Sequence, residues 1–180
     1  MLLAPDRGIE FGNTLERYCR RRGLACLVME EVSLRALNDD DLPILFGFYS
    51  DPVSVAMVGM PPRDEEAFYA HRAKTMANPS NVLLAITVGG ELVGDIVSWP
   101  DEGGHRKLGY WIGQEYWGRG IATAALTTFL GELTERPLYA DVLRTNVGSL
   151  RVLQKCGFRL LSEDEREPDH DPEEYALRLG

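Results

Sequence analysis

The chain has 180 residues, of which 44% are hydrophobic and 26% are charged, and this composition predicts one soluble domain with a sizeable core. Its formal net charge of −9 argues against a protein that grips a nucleic-acid backbone through clustered Lys and Arg, so no nucleic-acid partner is expected. Three cysteines without metal-ligand spacing, no apolar run of membrane-spanning length and no signal-peptide pattern predict a cytoplasmic protein with no metal site and no membrane partner.

The first third of the chain predicts an extension followed by a strand and two helices. Residues 1–28 are expected to be an N-terminal extension, to which we assign no function. A strand is predicted over residues 27–36, and the Asn and Asp residues at 38–41 supply N-cap chemistry for a helix. A second helix is expected to begin at the acidic residues 64–66. Between the two helices, prolines and small side chains at residues 50–63 predict a mobile loop.

The rest of the chain predicts a sheet. Residues 82–88 and 92–99 are two β-rich runs joined by Gly89-Gly90, which indicates a hairpin. Further elements are expected as strand 107–112, helix 121–135, strand 138–143, helix 147–156, strand 158–161 and strand 175–179. Antiparallel strands followed by βαβ units predict an α/β (α+β) fold, in which a mixed, mostly antiparallel central sheet of six to seven strands is flanked by helices.

Two glycines, Gly118 and Gly120, stand between the strand at 107–112 and the helix that follows it. The first N–H groups of a helix have no intrahelical partner, and a residue without a Cβ lets a bulky anion approach them closely. Arg119 adds a cation at the same place. The arrangement predicts a pyrophosphate site, although a plain turn between a strand and a helix could also carry two glycines.

The same glycines are compatible with a second class of site, the dinucleotide-binding Rossmann turn. Gly118 and Gly120 supply two glycines of G-x-G-x-x-G, and Asp141 lies about where a ribose-binding acid would stand. However, the Rossmann glycine follows its strand almost at once, whereas four residues, 114–117, intervene here, and the third small residue is Thr123. We therefore rank this interpretation second.

Two linked motifs resemble a known family. EYWGRGIA, residues 115–122, resembles the acyl-CoA pyrophosphate motif of the GNAT N-acetyltransferase superfamily. RTNVGSLRVLQKCGF, residues 144–158, resembles the next strand–helix joint of the same superfamily. With GYWIG at 109–113, the pattern is most similar to the branch that includes ribosomal-protein N-terminal acetyltransferases and many small-molecule amine acetyltransferases. The resemblance implies the GNAT acyl-CoA N-acyltransferase fold for a domain spanning residues 29–180.

The resemblance also implies acetyl-CoA as cosubstrate, without a metal. Backbone N–H groups of the glycine loop and the following helix start would hold the pyrophosphate, with Trp117 at the loop entrance, and the end of the preceding strand would pair with the pantetheine arm. Asn146 would contact pantetheine from the other side. The cofactor-binding residues implied are Trp111, Ile112, Gly113, Trp117, Gly118, Arg119, Gly120, Ile121, Ala122, Thr123 and Asn146.

The chemistry implied is direct attack of a neutral amine on the thioester. Many members of the superfamily place a tyrosine seven residues after the motif asparagine to act on the leaving thiolate, but that position is Leu153 here. Ser149 is the hydroxyl that the matched branch would use as catalytic acid, and the alternative is an ordinary helix serine. The general base stays open among Asp95, Asp141, Glu163 and Asp164, and we expect His105 to be exposed.

The acceptor is expected to be a small-molecule or peptide amine, either a protein N-terminus or a small cationic amine. Residues 162–174 hold eight acids against one arginine, which would attract a cationic amine or simply keep a hairpin solvated. An alternative from another class is a catalytically silent CoA-binding or regulatory module on the same fold. The expected assembly is a monomer or a homodimer.

Overall fold

The computed structural model describes residues 31–59, 61–167 and 170–180. The predicted extension and the first residues of the strand predicted for 27–36 lie outside these ranges. The contact pattern separates Val32–Gly180, which holds all of the described elements, as one compact unit. These elements are β1 Val32–Ala36, α1 Leu42–Ser50, α2 Pro52–Val58, α3 Glu65–Ala77, β2 Val82–Val88, β3 Glu91–Pro100, β4 Arg106–Ile112, α4 Ile121–Glu132, β5 Leu138–Leu143, α5 Val147–Lys155, β6 Arg159–Leu160 and β7 Glu174–Leu179.

The described strands form one seven-stranded sheet in the order β1-β2-β3-β4-β5-β7-β6. All neighbouring strands are antiparallel except β4 and β5, which are parallel. The predicted mixed, mostly antiparallel sheet flanked by helices is therefore confirmed. The parallel ladder is short: it joins Arg106 to Leu138 and Lys107 to Tyr139 and then stops, although both strands continue. An opening between β4 and β5 follows from this early end of the ladder.

Helices cover both faces of the sheet because side chains along each strand alternate between two apolar surfaces. The larger core cluster packs Leu108 and Ile112 of β4 against Leu126 and Phe129 of α4. The smaller cluster lies on the other face and centres on Phe68 of α3 with residues of α1, β2 and β3. Full burial of one such side chain contributes roughly 1.5–3 kcal/mol, so the larger cluster holds β4 firmly against α4.

One sequence expectation is wrong: residues 52–58, predicted to lie in a mobile loop, form α2. The local chemistry explains the helix. The side chain of Asp51 accepts a hydrogen bond from Ser54 N–H at 2.8 Å, Pro52 occupies the first turn, and Gly59 closes the helix in the left-handed conformation at φ +73°. Small residues and nearby prolines are also typical of loops, so the sequence pattern does not distinguish this short capped helix from a loop.

Two helix boundaries follow the prediction and one differs. Asn38 and Asp41 form a reciprocal capping box before α1, as their order in the sequence predicts. Asp64 caps α3 by accepting from Ala67 N–H at 2.8 Å. Helix α4 ends at Glu132, three residues before the predicted end at residue 135, because Leu133 takes an extended backbone conformation. Among the described residues, no helix combines the length and the apolar character needed to cross a membrane.

Candidate active site

The glycine loop after β4 leads to a helix start that is open to a ligand. Gly118 and Gly120 have φ of +75° and +80°, the left-handed region that favours glycine. Apart from its chain neighbours, a Cβ built on either residue would meet no atom of the described part of the chain within 4 Å. The backbone conformation therefore requires both glycines, and the space beside them is free for another molecule.

The donors of this helix start are the first N–H groups of α4. Gly120 is the N-cap, it offers no side-chain cap, and the N–H of Ala124 is the first to bond back, to the Gly120 carbonyl at 3.0 Å. The N–H groups of Ile121, Ala122 and Thr123 precede it and so have no intrahelical acceptor. Because the Ile121 side chain is buried in the core, that residue can face a ligand only through its backbone. The arrangement suits an anion such as a pyrophosphate.

The residues flanking this helix start link it to the end of β4. The indole Nε1 of Trp117 donates to the Ile112 carbonyl at 2.8 Å, although 40% of the Trp117 residue stays exposed. The guanidinium carbon of Arg119 lies 5.7 Å from the centre of the Tyr116 ring. The tryptophan predicted at the loop entrance therefore uses one of the backbone acceptors predicted for pantetheine.

The end of β4 is fixed from the opposite side of the sheet. The Trp111 ring stacks on Tyr49 with centroids 4.0 Å apart, and its Nε1 donates to the Phe48 carbonyl at 3.2 Å. The N–H of Gly113 donates to the Val93 carbonyl at 3.0 Å. One edge of β4 is thus paired with β3, while beyond Lys107 the other edge has no ladder to β5. An extended ligand chain can pair with an edge of this kind.

Helix α5 begins beside the same opening. Asn146 is its N-cap: the amide oxygen accepts from Ser149 N–H at 3.0 Å, and the amide nitrogen donates to the Met57 carbonyl of α2 at 3.0 Å. The side chain predicted to contact pantetheine is therefore bonded to two protein groups, and its contact with the cofactor stays a prediction. Leu153, at the position where many relatives carry tyrosine, is 2% exposed in the larger core cluster.

A tyrosine that the sequence reasoning missed lies against Ser149. The hydroxyl of Tyr110 on β4 is 2.9 Å from Ser149 Oγ. Burial raises the pKa of Tyr110 to about 12, so its phenol is protonated at neutral pH. The signal was present in the sequence, since strand alternation puts Tyr110 on the same face as Leu108 and Ile112, which is the face that packs against α4 and α5.

The candidates for a general base differ in their surroundings. Asp95 is buried, forms an ion pair with Arg72 at 2.7 Å and accepts from the Tyr49 hydroxyl at 2.9 Å, so it is a structural charge. Asp141 pairs with Lys107 Nζ at 2.7 Å and is partly exposed. Glu163 and Asp164 are exposed in a short 3-10 helix. His105 has 44% of its side chain exposed, as predicted, and lies 3.1 Å from Glu167.

A cavity with charged walls begins where β4 and β5 diverge, and its lining includes the acids Asp141, Glu165 and Glu167 beside the basic side chains of Lys107 and Arg166. Asp141 stands two residues past the last ladder pair, and His170 lies across the cavity with its Nδ1 3.8 Å from an Asp141 oxygen. Partial burial and the charges of Asp141 and Asp171 raise the pKa of Glu174. Glu165 and Glu167 of the acidic segment 162–174 thus line a cavity next to the opening, and negative charges beside it repel one another.

A comparison with protein-family models matches residues 31–159 to the acetyltransferase (GNAT) domain. The chain belongs to the GNAT acetyltransferase family. This membership confirms the resemblance found in the two motifs. It also excludes the Rossmann interpretation. The antiparallel pairing of β3 and β4 ahead of the glycine loop is a second argument against a Rossmann turn, because that fold is built on parallel strands.

Solved structures of GNAT proteins share the fold. An acetyltransferase from Agrobacterium tumefaciens str. C58 matches with a TM-score of 0.69 at 25% identity, covering 84% of this chain and 91% of that one. A spermidine N-acetyltransferase from Vibrio cholerae, in complex with CoA and spermine, gives 0.66 at 16% identity and covers 82% and 93%. A ribosomal L7/L12 α-N-protein acetyltransferase in complex with coenzyme A gives 0.67 at 16% identity, with the same coverage. No curated protein sequence matches the chain.

Proposed function

We propose that this GNAT protein is an N-acetyltransferase that moves the acetyl group of acetyl-CoA to a primary amine by direct attack on the thioester. The observation that carries the proposal is the uncapped start of α4 behind two left-handed glycines, directly after the strand edge that opens away from β5. A helix start of this kind suits the pyrophosphate of CoA, and the open space beside Gly118 and Gly120 gives it room.

In the proposed complex, the N–H groups of the segment Gly118–Thr123 hold the pyrophosphate. The edge of β4 at Trp111–Gly113 that faces away from β3 pairs with the pantetheine arm, which shares the Ile112 carbonyl with the indole N–H of Trp117. The thioester then lies between β4 and the start of α5, within reach of Ser149. The acceptor nitrogen attacks the carbonyl carbon, the C–S bond breaks, and the sulfur takes the electron pair. Ser149 acts on the sulfur as a hydrogen-bond donor or acid, which lowers the energy of the departing thiolate.

We further propose that the acceptor is a small cationic amine or a positively charged peptide N-terminus. The excess of acids over basic residues in the segment 162–174 supports a cationic acceptor, since Glu165 and Glu167 of that segment line the cavity beside the opening. The charges of Asp141, Glu167 and Asp101 already raise the pKa of Lys107 in spite of its partial burial, so acids at this place favour a cation. The proteins that share the fold at low identity include one crystallised with spermine and one that acts on a protein N-terminus.

The experiment that tests the function measures thiol release from acetyl-CoA with a panel of amines that includes spermine and short peptides. We expect turnover with at least one amine, and calorimetric binding of CoA in the absence of an acceptor. Tight CoA binding without thiol release for every amine would contradict the proposed activity and favour a silent CoA-binding module.

The variant Ser149→Ala is expected to lower kcat by about 10- to 100-fold, with little change in the KM for acetyl-CoA. The effect lies at or below the low end for an acid catalyst because a thiolate is already a good leaving group. Steady-state kinetics at saturating acceptor measure it. Ser80→Ala, which removes an exposed hydroxyl from the turn before β2, is the matched control and should leave kcat unchanged. An equal loss of CoA affinity would make Ser149 a binding residue instead.

The variant Glu174→Gln is expected to raise the KM for spermine by about two- to fivefold at low salt, because it removes a negative charge that lies next to Asp141 and His170 of the cavity lining. The difference should shrink as ionic strength rises, since salt screens partly exposed charges. Glu132→Gln, which removes an exposed acid at the end of α4, is the matched control. Equal KM values for the two variants at low salt would show that the cavity does not attract the acceptor.

A further inference from the structure

Tyr110 and Ser149 join the two elements that border the proposed thioester position. Tyr110 is the fifth residue of β4, and Ser149 lies in the first turn of α5. Their hydroxyl oxygens are 2.9 Å apart, while the Tyr110 hydroxyl is 3.4 Å from the Ser149 carbonyl oxygen. The shorter contact is a normal hydrogen bond between hydroxyls, and the longer one is at the limit of such a bond.

The direction of this hydrogen bond follows from the chemistry of the two groups. A phenol is more acidic than an aliphatic hydroxyl and is therefore the better donor of the pair. Burial raises the pKa of Tyr110 to about 12, so the phenol keeps its proton across the working pH range. The Ser149 backbone N–H is already bonded to the Asn146 side chain at 3.0 Å, which fixes the first turn of α5 and holds the serine in place. Tyr110 thus donates to Ser149 Oγ.

We propose that Tyr110 is the positioning residue for Ser149: its hydroxyl donates to Oγ, so that the proton of Ser149 is free to face the sulfur of the leaving thiolate. The inference rests on the proposed acetyl transfer and on the proposed role of Ser149. Without Tyr110, the serine hydroxyl would rotate among its acceptors, and the carbonyls of the preceding helical turn would compete with the sulfur for its proton.

Every proton and electron pair of the acetyl-transfer step can be followed. When the C–S bond breaks, the electron pair goes to sulfur, and Ser149 keeps its proton and donates it as a hydrogen bond to the thiolate. A solvent proton then converts the released thiolate to the thiol. The proton lost by the amine leaves to water. Tyr110 stays neutral throughout, so its part is to orient and to stabilise.

The test is a double-mutant cycle of Tyr110→Phe, Ser149→Ala and the double variant, with kcat and the acetyl-CoA KM measured for each. Tyr110→Phe is expected to lower kcat about three- to tenfold, the effect of one lost hydrogen bond, and to leave KM unchanged. The double variant should be no slower than Ser149→Ala alone, because the phenol acts only through the serine. Tyr69→Phe changes a phenol beside the smaller core cluster and is the matched control.

The outcomes separate this inference from the proposed function. An unchanged kcat in Tyr110→Phe, a change confined to KM, or losses that multiply in the double variant would each overturn the positioning role while leaving the acetyl transfer intact. A parent protein without turnover for any amine overturns the proposed function and the inference with it. If Tyr110→Phe does not fold, 3-fluorotyrosine at position 110 tests the positioning role. Its phenol has a lower pKa and loses its proton at a lower pH, so kcat should fall at an alkaline pH at which the parent keeps its activity.

Discussion

Replacing Arg72 with alanine is expected to lower the free energy of unfolding by about 3–5 kcal/mol, because the change leaves Asp95 as a buried charge without its cation. The side chains of Arg72 and Asp95 are 4% and 1% exposed, and the ion pair is 2.7 Å long. Burial lowers the pKa of Arg72, but the charge and the hydrogen bond of Asp95 help to raise it above its ordinary value. Urea unfolding followed by circular dichroism measures the loss.

Two further variants show whether the loss comes from the buried charge. Arg159→Ala removes an ion pair of similar length whose side chains are 51% and 40% exposed, and its unfolding midpoint should stay close to that of the parent. The double variant Arg72→Met/Asp95→Leu removes both buried charges and should recover most of the lost stability. A loss for Arg72→Ala as small as that for Arg159→Ala would show that water or another group compensates Asp95.

The buried pair matters for the site because it supports Trp111. The guanidinium carbon of Arg72 lies 4.5 Å from the centre of the Tyr49 ring. The same Tyr49 ring stacks on Trp111, so Arg72 supports Trp111 through Tyr49. Burial raises the pKa of Tyr49 well above its ordinary value, so its hydroxyl remains a donor to Asp95. The polar network of Arg72, Asp95 and Tyr49 therefore fixes Trp111 at the end of β4 in the absence of a ligand.

The parts of the fold that could be predicted from the sequence are those encoded by neighbouring residues. Gly89 and Gly90 both have positive φ and close the predicted hairpin. Asn38 with Asp41, and Asp64 before α3, cap their helices because the acceptor stands three residues before the N–H it serves. The strand–helix–strand pattern predicted a parallel pair, but the early end of the ladder between β4 and β5 and the place of β7 between β5 and β6 depend on distant contacts and could not be predicted.

The parts of the site that could not be predicted depend on contacts between distant residues. Tyr110 meets Ser149 across 39 positions of sequence, and Arg72 meets Asp95 across 23. Asp95 looked like a possible base because the sequence contains no sign that a cation from α3 reaches the middle of β3. The contact of Asn146 with the cofactor stays a prediction, whereas the bond of its amide to the Met57 carbonyl of α2 joins residues 89 positions apart and has no sign in the sequence.

The variant Gly120→Val is expected to weaken CoA binding by about 2 kcal/mol or more, which is roughly a 30-fold rise in Kd. A branched side chain beside the first N–H groups of α4 would occupy the space that a pyrophosphate needs, and it would leave those donors without their acceptor. Since the added Cβ meets no non-neighbouring atom of the described residues within 4 Å, the folded protein does not itself crowd this position. Isothermal titration calorimetry with CoA measures the change.

The backbone strain of a branched residue at positive φ must be separated from this loss of binding, and Gly104 offers the matched control. Gly104 lies in the turn between β3 and β4 at φ +79°, against +80° for Gly120, and a Cβ there also meets no protein atom within 4 Å. Gly104→Val should therefore carry the same conformational cost in thermal unfolding but bind CoA as the parent does. In the parent, acetyl-CoA should raise the melting temperature and NAD should not. If Gly120→Val binds CoA as tightly as Gly104→Val, the pyrophosphate is held elsewhere than at the start of α4.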